Sequence, residues 1–282
     1  MRGIIASDID RTLTDRDHKI PKNVVEYFKE RHLEGFEIVF LTGRTLSFCK
    51  KALELCDFPY HLGVTNGAEV LKMPGEHLCM QKFFDKEIAK KVCKAALFND
   101  RSFVFYSGFE AGDVCYYVSS AFSGYGKEYI EKMISYKSTK YESISSLEEL
   151  QRDKFPIMRT FGTLQEMEDL QERVEAVNDG SIDLVILHDV TTTDGYLLYL
   201  AAKNINKGSC LRRLIDHNGW KGCVIACGDD LNDVSMFAEA DITIAMENGH
   251  PKLIENATII AKPSYEMGVI EALNQAIGMI HD

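Results

Sequence analysis

Short apolar runs and helix-period segments alternate along the first eighty positions. Gly3 to Ser7 is a continuous apolar run, as a strand buried on both faces reads. Pro21 to Glu34 follows with Val24, Val25, Phe28 and Leu33 at helical spacing; Pro21 suits a first turn and Gly35 a C-terminal cap. Phe36 to Leu41 is a second strand, broken by Thr42-Gly43. Thr45 to Cys56 reads as helix, with Leu46, Cys49 and Leu53 on one side. Leu62 to Thr65 is a third strand, and Asn66-Gly67 turns the chain into a hairpin of Ala68 to Leu71 with Leu78 to Lys82. Strand, helix, strand, helix, strand predicts a parallel sheet with crossover helices.

The pattern changes near Asp85. Asp85 to Leu97 and Leu164 to Val177 are amphipathic helices. Among them lie alternating, aromatic strands: Phe103 to Tyr106, Cys115 to Ser119, Ile157 to Phe161 and Ile182 to Leu187. Ser135 to Leu150 is too polar to place. The α/β alternation then resumes. Lys207 to His217 is a helix, Cys223 to Cys227 a strand, Asn232 to Ala238 a helix and Ile242 to Met246 a strand. Pro251 to Asn256, Thr258 to Ala261 and Val269 to Met279 close the chain as helix, strand and helix. The fold predicted is a doubly wound, mostly parallel α/β domain over residues 1–83 and 189–282. An α+β unit over 84–188 interrupts it.

Composition narrows the function classes. The 282 residues are 45% hydrophobic and 27% charged, ordinary for a globular protein. No apolar stretch is long enough to span a membrane, and the run after Met1-Arg2 ends at Asp8, too soon for a signal peptide. With 43 acidic against 32 basic residues the formal charge is −11, which disfavours nucleic acid and anionic membranes as partners. The eight cysteines are scattered and form no C-x-x-C pair, so they read as reduced thiols in a cytoplasmic protein.

Four short stretches carry candidate chemistry, each at the carboxyl end of a predicted strand, where open α/β sheets bind ligands. The first is Asp8-Ile9-Asp10-Arg11-Thr12. Its two carboxylates suit a hard cation such as Mg²⁺, or a nucleophile paired with an acid–base group, or simply turns and caps. The second, Thr42-Gly43-Arg44, offers a hydroxyl and backbone N–H groups to an anion, or caps a helix. The third is Lys207-Gly208 at a helix start, where a cation opposes the helix dipole. The fourth, Gly228-Asp229-Asp230-Leu231-Asn232-Asp233, crowds three carboxylates into five residues; a divalent cation offsets that repulsion best.

Taken in order, these segments resemble the four motifs of the haloacid dehalogenase-like phosphatases: Asp8-x-Asp10-x-Thr12, Thr42, Lys207 and Gly228-Asp229-x-x-Asn232-Asp233. The insertion falls between the second and third motifs, as in members with a C2-type cap. Asn66-Gly67-Ala68, Ile244-Ala245-Met246 and Gly268-Val269 are similar to the Cof-type subfamily. The resemblance implies a Rossmann-like core with an inserted cap that selects substrate. It implies an Mg²⁺-dependent phosphatase of a small phosphorylated metabolite, with a sugar phosphate the expected substrate and a phosphotransferase or phosphomutase the alternative. A receiver-like phospho-accepting switch is the non-enzymatic alternative. For the phosphatase, the resemblance implies that Asp8 is the nucleophile that forms an aspartyl-phosphate, and Asp10 the acid and base. Asp8, Asp10 through its backbone carbonyl, Asp229 and Asp233 serve the metal. Thr42, Gly43, Arg44, Lys207 and Asn232 bind the phosphoryl group.

Two positions depart from the pattern. Arg11 stands where relatives usually have Gly, so its side chain constrains the loop, approaches substrate or points to solvent. Tyr199 lies in the strand before Lys207, where many relatives carry an acid. In the cap, Tyr106, Tyr116, Tyr117, Ser119 and Tyr125 suit a sugar or ordinary packing, and Arg159 and His188 are further candidate contacts.

Overall fold

The computed structural model describes residues 1–96, 103–118, 124–188 and 195–280, without the side chain of Tyr125. Leu97 and Ser119, expected at element ends, lie outside the described residues. The chain divides into two units: Met1–Arg44, Cys49–Met80 and Asn206–Asp282 form the first, and Thr45–Phe48 with Gln81–Ile205 the second.

The first unit is built on an eight-stranded sheet. From edge to edge its strands are Ile259–Ala261, Ile242–Met246, Cys223–Gly228, Gly3–Ser7, Phe36–Leu41, Tyr60–Val64, Glu69–Met73 and His77–Gln81. The six strands from Ile259–Ala261 to Tyr60–Val64 pair in parallel, and Glu69–Met73 turns back antiparallel. Gly3–Ser7 sits in the middle, with all five residues buried. A strand covered on both faces has no polar side, which is why Gly3–Ser7 reads as an apolar run.

Each face has its own layer of helices. On one, Ile4, Ala6, Val39, Val224 and Ala226 pack with Leu211 and Leu214 of the helix Lys207–Asn218 and Met236 of Val234–Phe237. On the other, Phe28 of the helix Lys22–Leu33 meets Phe40 edge-on at 5.2 Å. Tyr27 Oη donates to Asn274 Oδ1 at 2.8 Å, tying that helix to Gly268–Gly278. The arrangement is the doubly wound, mostly parallel α/β fold that the alternation predicts.

Two expected helices are shorter than their patterns. In the Thr45–Cys56 segment only Leu46–Cys49 is helical; beyond it the chain continues in turns, with Ala52 N and Leu53 N both donating to Cys49 O and Ala52 O accepting from Ile20 N. In Asn232–Ala238 a 3₁₀ turn, Leu231–Asp233, precedes a single helical turn, Val234–Phe237.

The second unit holds a six-stranded sheet in the order Ile182–His188, Tyr196–Ala202, Ile157–Gly162, Val104–Tyr106, Cys115–Tyr117, Tyr141–Ser143. Helices Lys86–Ala96 and Leu164–Glu175 belong to it; Thr163 and Glu166 form a capping box on the latter. Tyr141–Ser143 answers for part of the unplaced polar stretch: it is an edge strand, where polar residues keep the sheet from pairing further. The expected second boundary at 188/189 moves to 205/206. Tyr196–Ala202 pairs on both sides within this sheet, with Ile157–Gly162 and with Ile182–His188. Tyr199 therefore lies opposite Arg159 and Val185, not in the first unit's sheet.

Gly208 shows how tightly the Lys207 helix is seated. A Cβ there would come within 2.0 Å of Ser235 O and 2.4 Å of its carbonyl carbon. Both atoms are backbone, so relief requires the helix to shift. Gly208→Ala is expected to cost about 1–3 kcal/mol, the range of core overpacking. Gly278→Ala, where a Cβ meets nothing within 4 Å, is expected to leave stability unchanged or slightly higher. Denaturant midpoints of the two variants decide it; equal midpoints would show the helix to be loosely seated.

Candidate active site

The site grows from the register of neighbouring strands. Ser7 pairs with Cys227, and Asp8 N donates to Cys227 O at 2.9 Å, so the pairing continues one residue past the strand. Asp8 and Asp229 therefore leave adjacent parallel strands at the same edge. On the other side Ser7 pairs with Phe40, and two residues on is Thr42, fully buried. Three of the four motif segments thus meet at one sheet edge by strand pairing alone.

Lys207 arrives from the helix face. Asn206 caps its helix through Ser209 N at 2.8 Å, which places Lys207 in the first turn. Its side chain is 1% exposed, and Nζ donates to Asp8 Oδ1 at 2.5 Å and to Asp233 Oδ1 at 2.6 Å. Asp233 is fully buried, and its Oδ2 accepts from Asp229 N at 3.0 Å and Asp230 N at 3.1 Å. Gly228 is required here, since a Cβ would meet Asp233 Cβ at 2.6 Å. Asp230 faces outward and caps the turn by accepting from Leu231 N.

Ligand oxygens of Asp8, Asp229 and Asp233 all lie within 4.8 Å of one another. Among the described residues Asp8 Oδ2 is buried with no hydrogen-bond partner. An oxygen so placed calls for a proton or a cation, and the all-oxygen donor set around it suits a hard cation such as Mg²⁺. Burial and the Asp233, Asp229 and Asp10 carboxylates push Asp8 above the usual carboxylate range, against the pull of Lys207. Burial and Asp233 push Asp229 up to about 7, while Arg11 and Lys207 draw it down. Burial alone would lower Lys207, but Asp233 and Asp8 outweigh it and hold the ammonium charged.

Asp10 is placed differently. Its carboxylate is not in the three-acid group; it accepts from Arg44, whose guanidinium is mostly buried. Thr42 Oγ1 accepts from Arg44 N at 3.1 Å, which folds Gly43 and Arg44 into a tight turn. Thr12 Oγ1 donates to Asp229 Oδ1 across 3.4 Å. Asn232 Nδ2 donates to Asn66 Oδ1 at 3.3 Å.

Sequence reasoning missed two contributors. Asn66 adopts a left-handed φ of 55° and meets Asn232; its signal was the Asn-Gly pair after a strand. The segment after Met246 folds back under Asp229, whose carbonyl accepts from His250 N at 2.7 Å. Gly249 makes that approach possible, since a Cβ would come within 2.7 Å of Asp229 O.

The cap candidates lie in the second unit. The Arg159 guanidinium sits over the rings of Tyr106, at 4.9 Å, and Phe161, at 5.3 Å; Tyr129 stacks on Phe161 at 3.8 Å. Tyr106 is buried, Tyr116 and Tyr117 are half-buried, and His188 meets Tyr196 edge-on. Ser119 and the Tyr125 side chain lie outside the described residues.

The chain is similar to proteins of known kind along nearly its whole length. A phosphoglycolate phosphatase of Methanobrevibacter smithii is 24% identical over 274 residues, covering 97% of each chain. A 5-amino-6-(5-phospho-D-ribitylamino)uracil phosphatase of Bacillus subtilis is 25% identical over 291 aligned positions, again covering 97% of each. A crystal structure of a haloacid dehalogenase-like hydrolase from Bacteroides thetaiotaomicron superposes with a TM-score of 0.79 at 20% identity. It covers 98% of this chain and 100% of its own, so the fold is shared. The family pattern of the haloacid dehalogenase-like hydrolases matches residues 5–273, and the chain belongs to that family.

Proposed function

We propose that the protein is a phosphatase of a small phosphorylated metabolite that works through an aspartyl-phosphate on Asp8 and needs Mg²⁺. The observation that carries this reading is the state of Asp8: one oxygen is held by Lys207, and the other is buried and unpartnered. A carboxylate held at one oxygen and bare at the other is a preorganised nucleophile.

Asp8, Asp229 and Asp233, with the backbone carbonyl of Asp10, would hold the cation. When bound, Mg²⁺ would supply the positive charge that lets a dianionic phosphate approach a carboxylate. Lys207 adds a fixed positive charge beside the attacking residue, and Thr42, Gly43 and Asn232 present donors to the phosphoryl oxygens. Asp10 would protonate the leaving oxygen and then take a proton from the attacking water, with Arg44 holding its carboxylate in place. The second unit would act as the cap that chooses the leaving group. Its tyrosines around Arg159 suit a polar, hydroxyl-bearing substrate, and a sugar or polyol phosphate is the class proposed. The relatives' printed substrates, phosphoglycolate and a phosphoribityl compound, are both small phosphate esters. The cysteines are all unpaired, in keeping with a reducing, cytoplasmic setting, and no described helix is long and apolar enough to cross a membrane.

A panel of sugar, polyol and carboxylic-acid phosphates, assayed for phosphate release, tests the reading. Release is expected with Mg²⁺ and not after chelation, and Asp8→Asn is expected to lower turnover by at least ~10³-fold. Full activity in Asp8→Asn would overturn it, and phosphate passed to a second sugar rather than to water would make the protein a phosphotransferase.

The buried acids also predict a pH dependence. Burial and the Asp233 carboxylate push Asp229 from its ordinary value of 3.8 up to about 7 in the folded chain, so folding takes up a proton between those limits. The stability this brings is present at low pH and is lost as pH rises through about 7. The chelated protein is expected to lose thermal stability from about pH 4 to about pH 7 and to level off above, and Asp229→Asn to lose less over that interval. Mg²⁺ should restore more at the upper end, because the cation needs the carboxylate ionised. A melting midpoint that climbs over that interval in the chelated native protein would contradict this.

A further inference from the structure

Arg11 is a bulky residue in a conformation that favours glycine. Its φ is 58°, in the left-handed region, a strain of about 1 kcal/mol or more for a side chain that gains nothing locally. Its backbone N donates to Thr14 Oγ1 at 3.1 Å, which closes the turn after Asp10. A glycine would make the same turn without strain. What only the arginine adds is its guanidinium. Nε lies 3.3 Å from Asp229 Oδ2, and Nη2 donates to Asn248 O at 3.0 Å. The side chain thus spans from the Asp8 loop to the Asp229 turn and to the segment folded beneath it. The pair is lopsided: the arginine side chain is 45% exposed, its partner 4%. The charge therefore enters the acid cluster from the solvent side and is free to retreat.

We infer that Arg11 is a positioning residue that competes with the divalent cation for Asp229 and so sets the cation's affinity lower than the carboxylates alone would. This rests on the reading that Asp229 holds Mg²⁺. The guanidinium partly neutralises the Asp229 carboxylate, and its charge repels a second cation brought to the same group. When Mg²⁺ is scarce the pair steadies Asp229 beside Asp233; when Mg²⁺ is abundant the exposed arm swings to water at little cost. The strain at φ 58° is then the cost of an adjustable site in place of a permanently tight one.

Three variants separate charge from backbone. Arg11→Met removes the charge and keeps the demand for a left-handed φ, Arg11→Gly removes both, and Arg11→Lys keeps the charge. The readout is the Mg²⁺ dissociation constant from titration calorimetry on the chelated, substrate-free protein. Arg11→Met and Arg11→Gly are expected to tighten Mg²⁺ alike, by about threefold to tenfold, the scale of one half-exposed charge interaction, and Arg11→Lys to stay nearer native. Thermal midpoints give a second readout. Arg11→Met is expected to be less stable than native after chelation and to lose that deficit in saturating Mg²⁺. An unchanged Mg²⁺ affinity in Arg11→Met, or tightening in Arg11→Gly alone, overturns the inference. A raised KM with unchanged Mg²⁺ affinity also overturns it, by assigning the guanidinium to substrate. If the native protein binds no Mg²⁺ at all, the proposed function fails with it; if native and variants bind alike, only the role of Arg11 fails.

Discussion

One buried ammonium organises this molecule's chemistry. Lys207 donates to Asp8 at 2.5 Å and Asp233 at 2.6 Å with essentially no exposure to water, so two carboxylates otherwise too costly to bury share its charge. Everything that places Lys207 serves that contact: the Asn206 cap, the glycine at 208 and the backbone of Ser235–Met236 on which the helix rests. Everything that places the acids does too. Asp8 and Asp229 come from neighbouring strands whose register is fixed by Ser7 and Cys227, and Asp233 is locked by two backbone N–H groups. Ends of the chain some two hundred residues apart are joined by a single lysine.

Around that centre, charge is balanced in layers. Asp8, Asp10, Asp229 and Asp233 bring four carboxyl groups, of which burial pushes Asp8 and Asp229 toward the neutral form. Lys207 answers from within, and two arginines answer from the rim, Arg44 to Asp10 and Arg11 to Asp229. The rim pairs leave the inner oxygen of Asp8 free. A site balanced in this way would tolerate the proposed divalent cation and phosphate arriving together, because each offsets the other's charge. Burial raises the price of ionising Asp229, and that is why the same acids tie stability to pH.

Much of this was legible in the sequence, for a physical reason. A central parallel strand is apolar on both faces, so the residue at which polarity returns marks the sheet edge: Asp8, Thr42 and Asp229 all announce themselves that way. The Lys207 helix was legible in its span, Lys207 to His217, though its Asn206 cap was not. What was not legible depends on contacts between distant segments. Tyr196–Ala202 is as apolar as any strand of the parallel sheet, and only its partners, Ile157–Gly162 and Ile182–His188, show which sheet it joins. The helix expected through Cys56 stops at Cys49, and the Ala52 carbonyl, which a longer helix would give to Cys56 N, accepts from the distant Ile20 N. Pairs such as Arg44 with Asp10, Arg11 with Asp229 and Asn66 with Asn232 leave no periodic trace, since each depends on the reach of one side chain across a loop.

The proposed chemistry depends on a carboxylate oxygen of Asp8 being the atom that meets phosphorus. The most direct measurement is to quench the enzyme during turnover of a cleavable phosphate ester, reduce it with borohydride, and map the modified peptide by mass spectrometry. An acyl phosphate is reduced to an alcohol, so Asp8 is expected to be recovered as homoserine, and only when substrate and Mg²⁺ are both present. Steady phosphate release with Asp8 unmodified, or homoserine found at another aspartate, would contradict it.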